Sequence, residues 1–167
     1  MKVVVIGAGF GGLSSAALLS HKGHEVTVVE KNEQYGGRAR IHRDKGFQFD
    51  MGPSWYLMPE VFEKFFAKLG KKPSDFYQLK RIDPHYRIFF SKENVVDVYP
   101  DMEKNRELFD RLEKDGGKKL DKYLELAKKK YDASMEGPIY KDYSSFLDFL
   151  DWRIAKQGMK LGVFGNL

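Results

Sequence analysis

The chain has 167 residues, about the size of one domain and enough to bury a hydrophobic core. It contains no cysteine, which excludes a disulfide framework, a cysteine-ligated metal centre and a cysteine nucleophile, and which fits a reducing cytoplasm. The 29 Lys and Arg residues outnumber the 24 Asp and Glu residues, giving a net charge of +5. This excess is spread along the chain rather than gathered into a stripe, so we expect no nucleic-acid partner.

The first thirty residues predict a βαβ unit. Residues 2–6 end in four consecutive β-branched residues without alternation, a pattern typical of a parallel strand buried on both faces. Residues 12–22 predict a helix rich in small residues, with Gly23 as its C′ residue. A second apolar strand follows at residues 25–30. The glycines inside the uncharged stretch 3–20 argue against a signal peptide or a membrane span there.

The rest of the chain predicts shorter strands and then helices. Phe47 and Phe49 alternate with polar residues and predict a half-buried strand at 47–50, and a helix is predicted at 59–69, closed by Gly70. Short separators favour antiparallel pairing of three further strands, predicted at 78–82, 86–90 and 95–99. Helices are predicted at 101–114, 118–134 and 145–157, with a break at Gly116-Gly117 and a capping box from Ser145 to Asp148. The best place for a domain change is near residues 55–75.

A glycine-rich loop joins the first predicted strand to the first predicted helix. Its sequence, Gly7-Ala8-Gly9-Phe10-Gly11-Gly12, has the G-x-G-x-x-G spacing of dinucleotide-binding loops. In such a loop the first glycine permits the tight turn, the second lets the backbone approach a pyrophosphate, and the third lets helix and strand pack closely. The N–H groups and the dipole of the helix N-terminus would then favour the phosphates.

Glu30 ends the second predicted strand, 18 residues after Gly12. A carboxylate at this place accepts hydrogen bonds from the ribose hydroxyls and repels a 2′-phosphate, which disfavours NADP. The alternative is a ligand-free glycine turn with Glu30 as a surface carboxylate. The loop alone leaves FAD and NAD both open.

Gly36-Gly37-Arg38 follows Glu30 after a short connection. Together with the loop and Glu30, this doublet resembles the extended fingerprint of the glycine-doublet flavoproteins, which include amine oxidases, protoporphyrinogen oxidases and carotenoid desaturases. The resemblance implies FAD, with Gly36, Gly37 and Arg38 near the pyrophosphate or the flavin. The alternative for Arg38 is a solvated arginine in a turn.

Three later segments resemble the bacterial phytoene desaturase family, and they lie at residues 47–56, 79–87 and 146–150. The resemblance implies a FAD-dependent oxidoreductase that desaturates a carotenoid hydrocarbon by hydride transfer to flavin. Since the flavin performs the difficult step, no acid–base pair is required, and we assign no catalytic residue. An amine-oxidase-like flavoprotein and a non-catalytic dinucleotide-binding module remain alternatives.

The sequence and the resemblance together predict an α/β protein: a Rossmann-like FAD/NAD(P)-binding βαβ unit with a parallel sheet, followed by the start of an α+β substrate domain with short antiparallel strands and helices. Residues 1–56 would belong to the FAD-binding domain and residues 57–167 to the substrate domain. Because members of this family are several times longer, we expect an incomplete N-terminal part that is inactive alone.

The expected partners are a hydrophobic carotenoid and, as a further hypothesis, the inner face of the cell membrane, reached from the cytoplasm. His21, His24, His42 and His85 are scattered, so we expect no metal site, and Asp148 and Asp151 are expected to mark the solvent side of the last predicted helix. The residues assigned to the cofactor are Gly7, Ala8, Gly9, Phe10, Gly11, Gly12, Glu30, Lys31, Gly36, Gly37, Arg38, Gly52, Pro53 and Ser54.

Overall fold

The computed structural model describes residues 1–53, 55–145, 148 and 158. The chain forms two compact units, Met1–Lys80 and Arg81–Leu167, and each is described by itself. Ser54, Asp151 and the greater part of the helix predicted at 145–157 lie outside the described residues. The capping interaction predicted at the start of that helix is present in part, because the backbone N–H of Ser145 donates to the Asp148 carboxylate at 2.9 Å.

The first unit begins with the predicted βαβ arrangement. Strand β1 (Lys2–Ile6) pairs in parallel with β2 (Glu25–Val29), with Lys2 opposite Glu25 and Ile6 opposite Val29. Helix α1 (Phe10–His21) connects them and begins two residues earlier than predicted. It ends as predicted at Gly23, whose φ of +84° allows the N–H groups of Gly23 and His24 to bond the carbonyls of Ser20 and Leu19.

The prediction that β1 is buried on both faces is wrong for the described residues. Val3 and Val5 are half-buried, whereas Val4 and Ile6 on the opposite face are exposed, Ile6 to 88%. The physical reason is the width of the sheet: within the described residues it has two strands, and α1 is the element packed against it.

A hairpin follows the first βαβ unit. Strand β3 (Ile41–Asp44) pairs antiparallel with β4 (Phe47–Asp50) across a turn in which Lys45 and Gly46 have φ of 49° and 83°. The strand at 47–50 was predicted, but β3 was not. Phe47 and Phe49 are exposed rather than half-buried, although their rings contact each other.

Helix α2 (Pro59–Lys68) completes the regular structure of the first unit, with Pro59 in its first turn and Gly70 at φ +68° beyond its end. Its apolar face forms an aromatic cluster with the segments on either side. Phe62 packs on Tyr56 with ring centroids 4.6 Å apart, and Phe66 stacks on Phe76 at 4.9 Å. The hydroxyls of Tyr56 and Tyr77 share a hydrogen bond across this cluster.

The second unit contains an antiparallel hairpin and two helices. Strand β5 (Tyr86–Phe89) pairs with β6 (Val95–Val98), confirming two of the three predicted short strands and their direction. The strand predicted at 78–82 is not formed. Helix α3 (Met102–Leu112) packs against α4 (Gly116–Met135).

The predicted break at Gly116-Gly117 is displaced. The two helices are separated at residues 113–115, and the glycines form the first turn of α4, where both are buried. A Cβ on Gly116 would overlap the carbonyl of Phe109, so the glycine lets α4 approach α3 closely. Within the described residues, no helix is long and apolar enough to cross a membrane.

Candidate functional site

The glycine loop lies between β1 and α1 at the carboxyl ends of both parallel strands. The N–H of Gly7 donates to the carbonyl of Val29 at 2.7 Å, which ties the loop to the end of β2. Gly7 has φ +97°, a backbone conformation that side chains with a Cβ adopt with difficulty. A Cβ on Gly12 would overlap the carbonyl oxygen of Gly7 and also approach Val5 to 3.5 Å. Gly7 and Gly12 therefore have the conformations and contacts expected of the first and third glycines of the motif.

The N-terminus of α1 is open for an anion. Its N-cap residue is Gly9, which has no side chain to accept from the first-turn N–H groups, and no acidic residue lies in that turn. The N-terminal N–H groups of a helix carry partial positive charge and bind phosphates. Phe10, the first residue of α1, is exposed and meets the ring of Phe62 edge-on at 6.1 Å.

Glu30 follows β2 and bonds back to the glycine loop. Its Oε2 accepts from the N–H of Ala8 at 2.7 Å, and its Oε1 accepts from the N–H of Asn32 at 3.0 Å and from Asn32 Nδ2 at 2.7 Å. These bonds, that of Ala8 foremost, hold the pKa of the Glu30 carboxyl below its usual range against the opposing effect of partial burial. Glu30 is therefore an ionised acceptor next to the loop.

The glycine doublet packs directly on the glycine loop. The N–H of Gly36 donates to the carbonyl of Ala8 at 2.8 Å. Gly37, at φ +62°, lies so near that a Cβ there would be 3.1 Å from the Cα of Gly9. The two glycine segments, far apart in the sequence, thus form one backbone surface.

Gly52 extends this surface from a third segment. A Cβ on Gly52 would overlap the carbonyl oxygen of Arg38, which lies in a short 3₁₀ helix, Gly37–Ala39. The N–H of Met51 also donates to the carbonyl of Arg40 at 2.9 Å. Gly52 is therefore held against the segment that carries the doublet.

The structure brings together most, but not all, of the residues assigned to the cofactor. The loop, Glu30, Gly36, Gly37 and Gly52 are joined by the contacts above. The side chains of Lys31, Arg38 and Pro53 are exposed, and the contacts described above do not join them to the glycine loop. Ser54 lies outside the described residues.

Two residues of this region escaped the sequence analysis. Asn32 donates to the Glu30 carboxylate through both its backbone N–H and its side-chain amide, and the sequence carries no specific signal for this contact. The Oε1 of Gln34 accepts from the N–H of Ile41 at 3.0 Å and so holds the doublet segment to β3. Nothing local predicts the Gln34 contact, because it depends on the unpredicted strand.

No group of three or more His, Asp and Glu side chains that could hold a metal occurs in the described part of the chain. His42 stacks on Phe49 at 6.4 Å, and His85 accepts from Arg81 at 3.4 Å.

The loop, the helix N-terminus and the strand-end glutamate define the class of the first unit as a dinucleotide-binding domain. Residues 5–69 match the family model described as an NAD(P)-binding Rossmann-like domain. This match confirms the predicted α/β fold class.

Curated relatives narrow the assignment. The chain is 47% identical over 149 residues to a carotenoid 3,4-desaturase of Haloarcula japonica, covering 89% of this chain and 30% of that protein. It is 37% identical to a 4,4'-diapolycopene oxygenase of Methylomonas over the same shares of both chains. It is 33% identical to a 4,4'-diapophytoene desaturase of Staphylococcus aureus, covering 96% of this chain and 32% of that one. The chain is thus similar to the N-terminal portion of carotenoid desaturases, and it spans about a third of the length of these relatives.

A solved structure of an oxidoreductase from Methanosarcina mazei is also similar. It is 30% identical, with a TM-score of 0.41 over 65% of this chain and 26% of that one.

Proposed function

We propose that the first unit binds the ADP part of FAD. The carrying observation is the combined backbone surface of the glycine loop and the doublet, with the ionised Glu30 at its side. The pyrophosphate would lie at the N-terminus of α1, where Gly9 and Gly37 leave the backbone uncovered by any Cβ. Glu30 would accept from the ribose hydroxyls.

The ionised carboxylate of Glu30 fits a nucleotide with a free 2′-hydroxyl. A carboxylate whose pKa is lowered stays charged at neutral pH, so it attracts hydroxyl donors and repels a 2′-phosphate. Arg38 and Lys31 supply exposed positive charge on the two segments beside the loop, and we assign to them a contact with the pyrophosphate. Gly52, Pro53 and Ser54 follow from the third segment and are assigned to the same cofactor.

For the whole protein, we propose FAD-dependent desaturation of a carotenoid-like hydrocarbon, as the names of the relatives support. FAD, when bound, supplies the hydride acceptor, which an apolar C–C bond requires because it offers no polar group for acid–base catalysis. The residues of this chain bind and orient the nucleotide. Residues 57–167 are proposed to begin the substrate domain.

The cofactor proposal is tested by calorimetric titration of the chain with ADP, FAD, NAD and NADP. We expect ADP and FAD to bind, NADP to bind more weakly than NAD, and ADP to compete with FAD for one site. Glu30→Gln should weaken ADP binding, and Glu33→Gln, at an exposed glutamate nearby, should not. Equal affinity of Glu30→Gln and wild type, or preference for NADP, would contradict the proposed ribose contact.

The proposed location is the cytoplasm, with peripheral contact to the inner membrane face, where an apolar substrate would reside. The net charge of +5 supports attraction to anionic lipid. Co-sedimentation with anionic vesicles, with and without phytoene, tests this: we expect binding that salt weakens and phytoene strengthens. If the chain stays in the supernatant in both cases, membrane contact and substrate binding by this part of the protein are both rejected.

A further inference from the structure

Asn32 bonds the Glu30 carboxylate oxygen that is not bonded to the glycine loop. One carboxylate oxygen, Oε1, receives both the backbone N–H and the side-chain amide of Asn32, at 3.0 and 2.7 Å. The other oxygen, Oε2, receives the N–H of Ala8 at 2.7 Å. The carboxylate therefore bridges two backbone segments and has one side-chain donor.

The hydrogen bond from the Asn32 amide to Glu30 forms at a solvent-exposed position. Asn32 is exposed and Glu30 is half-buried, so ordering the Asn32 amide costs side-chain entropy that the bond must offset. A hydrogen bond to a charged oxygen at 2.7 Å is of the stronger kind. Its effect is to fix one rotamer of Glu30, leaving the remaining lone pairs of the two oxygens facing away from Ala8 and Asn32.

We propose that Asn32 is a positioning residue for nucleotide binding, which aims the Glu30 carboxylate at the ribose. The ribose part of this proposal rests on the proposed function, whereas the effect on Glu30 is a property of the chain without ligand. Asn32 acts through Glu30 rather than through the nucleotide.

The charged groups around Glu30 are few. Lys31 and Glu33 neighbour it in the chain, and Arg38 lies on the doublet segment; all three are exposed. Hydrogen bonds, not neighbouring charges, lower the pKa of Glu30. Removing the Asn32 amide should therefore move the pKa of Glu30 upward.

The experiment compares wild type with Asn32→Ala and Asn32→Ser, and uses Asn94→Ala, an exposed asparagine of the second unit, as control. The pKa of Glu30 is measured by carboxyl ¹³C NMR in the ligand-free chain, with Glu30→Gln to assign the resonance. ADP affinity is measured by calorimetry from about pH 8 down to about pH 4, across the ordinary range of a glutamate.

We expect Asn32→Ala to raise the Glu30 pKa and to weaken ADP binding about two- to tenfold, the effect of one lost hydrogen bond. Since protonated Glu30 is a poorer acceptor, binding by this variant should fail at a higher pH than binding by wild type. Asn32→Ser, which retains a donor, should restore part of both properties, and Asn94→Ala should change neither.

An unchanged Glu30 pKa in Asn32→Ala overturns the proposal, whether affinity is retained or lost. Loss of affinity alone would mean that Asn32 contacts the nucleotide itself. If wild type binds no ADP while Asn32→Ala still shifts the Glu30 pKa, the proposed function fails and the effect of Asn32 on Glu30 stands.

Discussion

Ala8 and Gly36 are joined by a backbone hydrogen bond of 2.8 Å, although 28 positions separate them in the sequence. Ala8 is 4% exposed, and its other backbone group donates to Glu30. The backbone N–H and carbonyl of the buried Ala8 therefore bond the segments that carry Glu30 and Gly36, respectively. The glycine loop is the centre to which the doublet and the glutamate are attached.

Alanine substitutions at Gly12 and Gly11 should distinguish a steric clash with the backbone from the ordinary effect of alanine on helix stability. In Gly12→Ala the new Cβ meets the carbonyl of Gly7, which the turn holds in place, so we expect a loss of about 3 kcal/mol in unfolding free energy. Gly11→Ala, one residue earlier with open space around it, should be neutral or stabilise by up to about 1 kcal/mol. Urea denaturation of both variants measures the contrast, and similar midpoints would contradict the close packing at Gly12.

Gly37 and Gly46 form a second matched pair, because both have positive φ, at 62° and 83°. Alanine should cost each about 1 kcal/mol of backbone strain. Only at Gly37 does the Cβ press on Gly9, so only Gly37→Ala should also displace the loop and weaken ADP binding. If Gly46→Ala lowers ADP affinity as much, the contact between doublet and loop is not the cause.

The environment of Tyr56 should make the unfolding free energy depend on pH in the alkaline range. Partial burial, and then the hydrogen bond to Tyr77, raise the pKa of Tyr56 above its ordinary value. A phenol with a raised folded-state pKa contributes stability that is complete below the unfolded pKa of about 10 and that is lost as pH rises beyond it. Alkaline unfolding curves should therefore be less steep for Tyr56→Phe than for wild type.

Spectrophotometric titration of the tyrosines provides the direct measurement for Tyr56. Wild type should retain a tyrosine that ionises later than in Tyr77→Phe, where the hydrogen bond is lost but burial remains. If the last tyrosine to ionise has the same midpoint in both proteins, Tyr77 has no effect on Tyr56.

Asn105 of α3 should stabilise the fold through its hydrogen bonds to Tyr99, which directly follows β6. It is 6% exposed, and its side chain accepts from the N–H of Tyr99 at 2.9 Å and donates to the Tyr99 carbonyl at 2.7 Å. Asn105→Ala leaves both backbone groups without these partners and should cost about 3 kcal/mol in unfolding free energy. Glu107→Ala, exposed on the same helix, should change it by less than about 0.5 kcal/mol. An Asn105→Ala variant as stable as that control would show that water replaces the bonds.

The sequence predicts the βαβ unit and its loop because their determinants are local. A run of β-branched residues, glycines at fixed offsets and Gly23 at the helix end each act within a few residues of where they stand. The site is predictable to the same extent, since Gly7, Gly12 and Glu30 follow a spacing that the geometry of the unit requires.

Strand pairing was harder to predict because it depends on distant partners. The strand predicted at 78–82 finds no partner among the described residues, whereas the polar β3 forms because the Lys45-Gly46 turn places it beside β4. The contact of Asn32 with Glu30 was missed for a different reason: side-chain bonds across a turn leave only a weak trace in sequence.

The bonds from Ala8 to Glu30 and Gly36, and from Gly7 to Val29, have a kinetic consequence. Because these hydrogen bonds already order the glycine loop and the segments beside it, little conformational entropy of the loop remains to be lost when a nucleotide binds. Association should then proceed in one phase, with an observed rate that rises linearly with nucleotide concentration and no plateau from a slow rearrangement. Differences in nucleotide affinity among variants of the glycine loop should consequently arise from differences in the dissociation rate.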